Sequence, residues 1–402
     1  MSRSNAADRS NTGMVNRHPV HDSGLKTVGY ETQAHFRNIG RLPDDDRGPV
    51  SSAAMIQLLA GHLGVLSGDA WGMVTLPWQA IVACEYEVLP KDRVVIGIEG
   101  GPPGQQLFEA LARLSRNGYR LAMPLGNESL LSVNHLADIL KLDLSQDGLA
   151  AQMAQLEPLR KRKTSVLVSG IQTHDDFERC RELGVDYFEG YFFCTPKKTA
   201  GRVPASRSAA IQTLTALQDP NARLEDIEKI IRLDVSLSYR LLHFINSASV
   251  GLPREVSSIK HAVNLAGMER IRRLASVLLF GSVDKPSALV VTAAARARMC
   301  ELLADSEDEL RQATFFTAGL LSVLDALLDK PITEALEGLS LSQEICDGLI
   351  HGRGPIGTAL QAVIAYERND WDRHALLRFR RPKLQHSYLN SIEFANTVAA
   401  SI

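Results

Sequence analysis

The stretch TSVLVSGIQTHDDFERCRELGVDYFEGYFF, residues 164–193, shows the alternation that decides the fold of the first half of the chain. It begins with an apolar run, 164–171, of the kind expected for a strand buried on both faces of a parallel sheet. A helix follows, with Thr173 and Asp176 at capping-box spacing at its start. A second apolar run, 185–193, comes next. The stretch therefore predicts a strand–helix–strand unit.

The same alternation extends back through the first half. Helical segments lie between the apolar runs, and in one of them Leu107, Leu111 and Leu114 share one face. The runs bring the predicted strand count near eight and lie at positions 25–31, 71–76, 94–98, 119–123 and 137–144. Repeated strand–helix units of this number favour a closed α/β barrel of the TIM type.

Helical spacing replaces the strand runs in the second half, as at Leu237, Leu241 and Ile245. This pattern predicts an all-α domain. Gly201 and Pro204 break both patterns and indicate a linker. We therefore predict four segments: a disordered N-terminal segment 1–14, a barrel 15–196, a linker 197–207 and an all-α domain 208–402.

Composition excludes several classes of protein. With 44 basic and 46 acidic residues among 402, the net charge of −2 gives no global attraction to nucleic acid or to an anionic membrane. No apolar run reaches the roughly 18 residues that cross a bilayer, and the polar start does not resemble a signal peptide. The five cysteines are scattered, which argues against disulfides and zinc. We expect a cytoplasmic protein without nucleic-acid or membrane partners.

Three motifs have simpler structural interpretations. The dipeptide His174-Asp175 is expected to cap a helix and not to bind metal. The GxGxxG pattern at 352–357 follows a helical segment, so we interpret it as a turn between helices. The basic cluster at 378–383 is interrupted by Phe379 and Pro382 and is typical of a solvated connection.

The first half also resembles a known family. Residues 169–198 are similar to the closing segment of the EAL-type cyclic di-GMP phosphodiesterases. Residues 18–36 resemble the family's opening, and 137–143 resemble its lysine-bearing strand.

The second half resembles the helical HDOD domain. The segments that carry this resemblance are 233–274, 350–357 and 365–371. The domain order is that of the EAL–HDOD bacterial signalling proteins, which implies a degenerate EAL-type barrel followed by an HDOD output domain.

The resemblance implies which site residues are kept and which are lost. Glu31 stands at the position of the signature glutamate, and Lys141 is retained. Glu189 stands where the family has a glutamine. Four other positions of the family's site residues are occupied here by Gly97, Pro124, Leu125 and Gln172.

Holding two divalent cations requires several oxygen ligands, and by this alignment one carboxylate remains. We therefore expect no catalytic residue, no metal and no cofactor. Glu31, Lys141 and Glu189 are predicted to form a vestigial site at the barrel mouth, either as an ion pair or solvated residues without a ligand, or as a retained ligand contact.

The predicted function is that of a non-catalytic signalling protein that docks protein partners through its HDOD domain. The identity of the partner and self-association are left open. One alternative is a receptor that binds cyclic di-GMP without hydrolysis, through Lys141, His35 and Arg37; the missing phosphate-binding arginine disfavours it. The third and least favoured alternative is a residual phosphodiesterase that uses Glu31, Glu99 and Glu189.

Overall fold

The computed structural model divides the chain into two compact units, Met1–Phe192 and Phe193–Ile402. Each unit is described by itself below. The described residues are 13–35, 49–102, 104–125, 130, 133–144, 154, 164–197, 205–219, 221–247, 256, 258–304, 308–337, 339 and 341–402.

The first unit is built on a closed barrel, in which eight strands among the described residues follow one another in chain order. This confirms the predicted α/β barrel. The strands are β1 (Met14–His21), β2 (Thr27–His35), β3 (Trp71–Leu76), β4 (Val94–Ile98), β5 (Arg120–Pro124), β6 (Ile139–Asp143), β7 (Ser165–Ser169) and β8 (Tyr187–Glu189).

Strand β1 closes the barrel and was not predicted from the sequence. It runs antiparallel to both neighbours, β2 and β8, whereas β2 to β8 are parallel to one another. Its sequence, MVNRHPVH, contains four polar side chains and so does not have the pattern of a buried strand. Arg17 is nevertheless buried, because its guanidinium donates to the backbone oxygen of Leu66 at 2.6 Å and lies over the Tyr30 ring.

The barrel interior is apolar over its middle layer. Six strands each contribute one inward-facing side chain to this layer, so the barrel has a packed core and no open channel. The six residues are Val20, Met73, Val95, Ala122, Ile139 and Leu167.

Among the described residues of this unit, four α-helices accompany the strands: α1 (Pro49–Ser67), α2 (Trp78–Val82), α3 (Gln105–Arg116) and α4 (His174–Glu182). Helix α3 buries the predicted face of Leu107, Leu111 and Leu114. Helix α4 is capped as predicted, because the Thr173 hydroxyl accepts from the backbone N–H of Asp176 at 3.1 Å. The His174-Asp175 dipeptide therefore lies in a capped first turn.

The described residues of the second unit are helical, in agreement with the predicted all-α domain. Its helices are α5 (Ala205–Leu217), α6 (Leu224–Leu233), α7 (Val235–Ile245), α8 (Ile259–Ala266), α9 (Met268–Phe280), α10 (Ser287–Leu303), α11 (Glu309–Leu321), α12 (Leu324–Leu328), α13 (Ile332–Ala335), α14 (Gln343–His351), α15 (Gly354–Glu367) and α16 (Arg381–Ala399).

Helix α10 is the centre of this unit, with all but four of its seventeen residues buried. Helix α11 approaches it closely at Gly319, where an added Cβ would lie 2.5 Å from the backbone oxygen of Arg296. The Arg296 guanidinium in turn bonds both carboxylate oxygens of Glu367 on α15, at 3.1 and 2.9 Å. Both side chains are buried.

The two other motifs have the expected local structure. Gly352 ends α14 in the left-handed conformation, φ 62°, and Pro355 lies in the first turn of α15, so the GxGxxG pattern spans a turn between helices. Arg378 and Arg380 are exposed in the connection before α16.

The predicted segment boundaries are partly outside the described residues. Residues 1–12 of the predicted N-terminal segment and residues 198–204 of the predicted linker lie outside the described residues. Met14, the last residue of that N-terminal segment, begins β1. Helix α5 begins at Ala205, so the last three residues of the predicted linker are helical. The domain boundaries stay predictions.

Among the described residues, no helix combines the length and the apolar character needed to cross a membrane.

Candidate functional site

A charged cluster lies inside the barrel, above the apolar layer and toward the carboxyl ends of the parallel strands. The Lys141 ammonium on β6 donates to the Glu31 carboxylate on β2 and lies 3.3 Å from Oε2 of Glu189 on β8. The three predicted site residues are therefore in mutual contact. The carboxyl ends of the strands are where barrel enzymes place their active sites.

A fourth residue, His18 on β1, completes the cluster. Its Nδ1 lies 3.2 Å from Oε1 of Glu189. The register of β1 explains this contact, since His18 is paired with Glu31 and Val20 with Glu189. Sequence reasoning missed His18 because it did not predict β1 as a strand.

Both carboxylates are almost completely removed from solvent, with 3% of Glu31 and 6% of Glu189 exposed. Burial of two acids close together is unfavourable unless cations and hydrogen bonds compensate. Lys141 supplies the compensating charge for both, and Glu31 also accepts from the Thr75 hydroxyl at 3.3 Å. The cluster is therefore a connected ion network inside the barrel.

The two carboxyl groups respond differently to this environment. Burial raises the pKa of Glu31 above its ordinary value, and the neighbouring Glu189 adds to the rise, although Lys141 opposes it. Burial also disfavours the ionised form of Glu189, but Lys141 and the hydrogen bond from His18 prevail and hold its pKa below the usual range. Because the two groups share one ammonium, Glu189 is the carboxylate that stays ionised.

The carboxylates favour the protonated forms of the two basic groups. Burial works against protonation of Lys141, but both carboxylates outweigh it, so the pKa of Lys141 is raised. Burial likewise opposes protonation of His18, and the hydrogen bond to Glu189 reverses that effect, so the pKa of His18 is raised as well.

A cavity of about 250 Å³ opens next to the cluster. Glu31 and Lys141 line it, together with two further acids, Glu99 and Asp143. The sequence placed Glu99 on the same strand face as Gly97, and both line the cavity. It did not single out Asp143, although this residue follows Lys141 by two positions and so has the same facing.

Apolar and small residues form the rest of the wall where the EAL pattern has polar groups. Pro124 and Leu125 line the cavity, and Leu125 is buried. Gly97 lies against Thr75, because an added Cβ would be 2.6 Å from the Thr75 hydroxyl oxygen. A glutamate at position 97 would therefore require Thr75 to move.

The receptor alternative also named His35 and Arg37, and Gln172 stands at a position where the family's site residue is lost. His35 is the last residue of β2, and Gln172 is exposed before α4. Arg37 lies outside the described residues.

The acids of the cavity are of the type that binds hard divalent cations. Across the described part of the chain, however, no three His, Cys, Asp or Glu side chains lie close enough to hold one metal ion. The Glu31 carboxylate is also occupied by Lys141. The arrangement as it stands does not fit a divalent cation.

Comparison with known proteins gives one family match. The family described as HDOD domain matches residues 203–330. This finding confirms the predicted HDOD domain in the second half.

Two curated proteins are similar along most of the chain. The cyclic di-GMP phosphodiesterase CdgJ of Vibrio cholerae is 28% identical over 380 residues, which cover 90% of this chain and 87% of the relative. The uncharacterized protein YuxH of Bacillus subtilis is 25% identical and covers 77% of this chain and 79% of its own length. Both alignments are long enough to include residues of both halves.

Solved structures of EAL proteins overlay on less than half of the chain. An EAL domain protein from Listeria monocytogenes is 19% identical and covers 45% of this chain and 87% of its own, with a TM-score of 0.37. A standalone EAL protein from Vibrio cholerae, in its c-di-GMP-bound form, is 16% identical and covers 46% and 91%, with a TM-score of 0.36.

The expectation that this protein is not an enzyme is contradicted, because CdgJ, similar over 90% of the chain, is named a phosphodiesterase. The expectation counted carboxylates only at aligned family positions. Glu99 and Asp143 lie outside those positions, yet they line the same cavity as Glu31. Loss of ligands at fixed positions therefore does not establish loss of activity.

Proposed function

We propose that this chain, which joins an EAL-type barrel to an HDOD domain, is a cytoplasmic enzyme of cyclic di-GMP signalling. It hydrolyses a phosphodiester bond of cyclic di-GMP at the barrel mouth. The observation that carries the proposal is the similarity to CdgJ across 90% of the chain. The cavity beside Glu31 and Lys141 is the site at which we place the substrate phosphate.

The charged cluster offers two chemical functions that such a reaction needs. The Lys141 ammonium is a cation on which a phosphate oxygen can be held. The Glu31 carboxyl, whose pKa burial raises, can take up or release a proton closer to neutral pH than an ordinary glutamate can. Glu189 and His18 support the position of Lys141 from the opposite side.

The experiment is a chromatographic assay of the purified full chain with cyclic di-GMP, run with Mg²⁺, with Mn²⁺ and without added cation. We expect linear dinucleotide product from the natural sequence. Glu31→Gln keeps the side-chain volume but cannot exchange a proton, so its rate should fall by about 10²-fold or more. Glu182→Gln, an exposed site on α4, is the matched control and should keep the rate.

Binding is measured on the same samples by titration calorimetry. Hydrolysis that Glu31→Gln abolishes supports the proposal. Binding heat without product under any cation condition refutes hydrolysis and supports the receptor alternative. If the folded protein gives neither binding heat nor product, both hydrolysis and the receptor alternative are refuted.

We further propose that the HDOD domain carries the signal to a protein partner. Two large apolar side chains on α6 and α7 support this, because Leu233 is 78% exposed and Tyr239 is 69% exposed. Aromatic side chains such as Tyr239 are enriched at protein interfaces. The double variant Leu233→Ser/Tyr239→Ser in the full chain should lose a partner that the natural sequence retains in an affinity capture, whereas Leu377→Ser, at another exposed leucine, should keep it.

A further inference from the structure

A second, larger cavity lies within the helical unit. Its volume is about 490 Å³. Five helices surround it, α7, α9, α10, α11 and α16, and the residues that matter for its chemistry are Phe244, Arg270, Arg273, Arg298, Glu301, Phe316, Asn390, Glu393 and Phe394. Nothing in the proposed function uses these residues.

The cavity carries an excess of positive charge. Three arginines, Arg270, Arg273 and Arg298, face two acids, Glu301 and Glu393. Arg273 and Arg298 both bond Glu301, the second at 2.6 Å, and Glu301 is buried. A guanidinium has five N–H donors, so one carboxylate leaves donors of both arginines available to a further anion. Glu301 thus fixes two guanidinium groups in place without neutralising them.

An aromatic wall adjoins the arginines. Phe394 meets Phe244 edge to face, with ring centroids 5.8 Å apart, and meets Phe316 in the same way at 6.2 Å. The Arg273 guanidinium lies 5.8 Å from the centre of the Phe316 ring. Phe244 and Phe316 are buried and hold Phe394 in place, whereas Phe394 is partly exposed. A flat ring that enters the cavity can therefore contact Phe394 while its anionic group meets the arginines.

The size of the cavity fits a small organic ligand. Ligand sites generally measure roughly 300–1,000 Å³, so this cavity falls within that range and the barrel-mouth cavity of about 250 Å³ falls just below it. A lone inorganic anion would leave most of the volume empty.

The final helix supplies one wall of the cavity. The HDOD match ends at residue 330, whereas Asn390, Glu393 and Phe394 belong to α16, sixty residues further on. One wall is therefore supplied by a helix outside the matched domain. The cavity does not follow from the HDOD resemblance alone.

We propose that this cavity binds a nucleoside monophosphate, with the phosphate on Arg273 and Arg298 and the base against the phenylalanine wall. The lining offers a partner for each part of the ligand. The arginines outnumber the acids and can hold the phosphate, and the apolar rings can contact the base. The proposal does not rest on hydrolysis at the barrel mouth.

The test is titration calorimetry of the full chain with GMP, AMP and inorganic phosphate as separate probes. Arg298→Gln removes one phosphate donor, and Glu301 keeps its bond to Arg273, so the fold should persist. We expect this variant to bind the mononucleotides at least about tenfold more weakly, since one charge-assisted hydrogen bond is lost. Arg232→Gln is the matched control, because Arg232 also pairs with a glutamate of its own helix, Glu228, but does not line the cavity.

A second variant tests the aromatic wall. Phe394→Leu should weaken GMP and AMP binding and leave inorganic phosphate unaffected. Unfolding midpoints of all variants confirm that each is folded. The proposal is overturned if neither nucleotide gives heat with the folded natural chain, if Arg298→Gln binds like Arg232→Gln, or if phosphate alone binds as tightly as the nucleotides.

Discussion

Lys141 compensates the negative charge of two buried acids at once, so the stability of the cluster depends on it. Replacing it by methionine keeps most of the volume but leaves Glu31 and Glu189 without their cation. Removal of one partner from a buried ion network costs about 3–5 kcal/mol. We expect Lys141→Met to lower the free energy of unfolding by this amount in urea titrations, and Lys26→Met, at an exposed position, to change it little. Equal stability of the two variants would contradict the network.

His21, also on β1, gives a second prediction, for the acid range. Burial lowers its pKa to about 4, while the adjacent Asp22 has a smaller, opposite effect. In the unfolded chain, His21 takes up a proton as the pH falls below its ordinary pKa of about 6.5. In the folded chain, it takes up that proton only near pH 4. The contribution of His21 to the free energy of unfolding is therefore at its full value above about pH 6.5, and it falls by about 3 kcal/mol as the pH drops to 4.

The measurement is the free energy of unfolding at pH 7, 5.5 and 4. His21→Gln should flatten the decline over this range, because glutamine has no proton to take up. His386→Gln, at an exposed position on α16, should leave the decline as it is. A decline of equal size in all three proteins would show that other groups cause it.

At the scale of single residues, the sequence named Glu31, Lys141 and Glu189, and the structure brings the three side chains into contact; their role as a ligand site stays a prediction. Each lies in or directly beside a segment whose apolar pattern or family resemblance is readable. His18 was not found, because its role depends on which residues β1 faces. That register arises from pairing between distant segments and leaves no local pattern.

At the scale of elements, the bond between α10 and α15 carries a prediction. Arg296 and Glu367 are both buried, and the Arg296 Nε–H donates to both carboxylate oxygens of Glu367. Arg296→Met alone strands the glutamate and should cost about 3–5 kcal/mol of unfolding free energy. The double variant Arg296→Met/Glu367→Leu removes both charges and should recover a large part of this loss. Denaturant titrations of the three proteins measure the coupling, and additive losses would refute it.

Elements with a strong period were predicted, and those without one were not. Strand β4 matches its predicted range, and α4 begins directly after its predicted cap residue Thr173. Strand β8 is shorter than predicted, since only Tyr187–Glu189 pair and Phe192 begins a 3₁₀ turn. Apolar character alone marks burial, and it extends beyond the residues that form the ladder.

At the scale of the whole molecule, the closed barrel predicts uniform protection of its strands. Strand β1 has a neighbour on each side, so it has no free edge despite its place near the start of the chain. Amide hydrogen exchange should therefore be about as slow in β1 as in the central strand β4. Mass spectrometry of peptides covering residues 14–21 and 94–98 measures this, and fast exchange confined to β1 would show that the barrel opens there.

The barrel and the helical domain were both predictable as classes, because the change of period after residue 208 is visible in the sequence. How the barrel closes was not, because closure joins residues that no local pattern relates. The cavity among α7, α9, α10, α11 and α16 was also not predicted, since its lining comes from helices far apart in the chain.

The pairing of β1 with β8 also bears on how the protein is made. His18 and Glu189 are in contact across 171 positions of sequence. At roughly 5–20 residues per second, a ribosome needs about 10–30 s between them. Throughout that interval the nascent β1 lacks β8, and its polar side chains lack part of their burial. The strand that leaves the ribosome first is thus among the last to be fixed, so slow folding and dependence on chaperones are to be expected of the barrel.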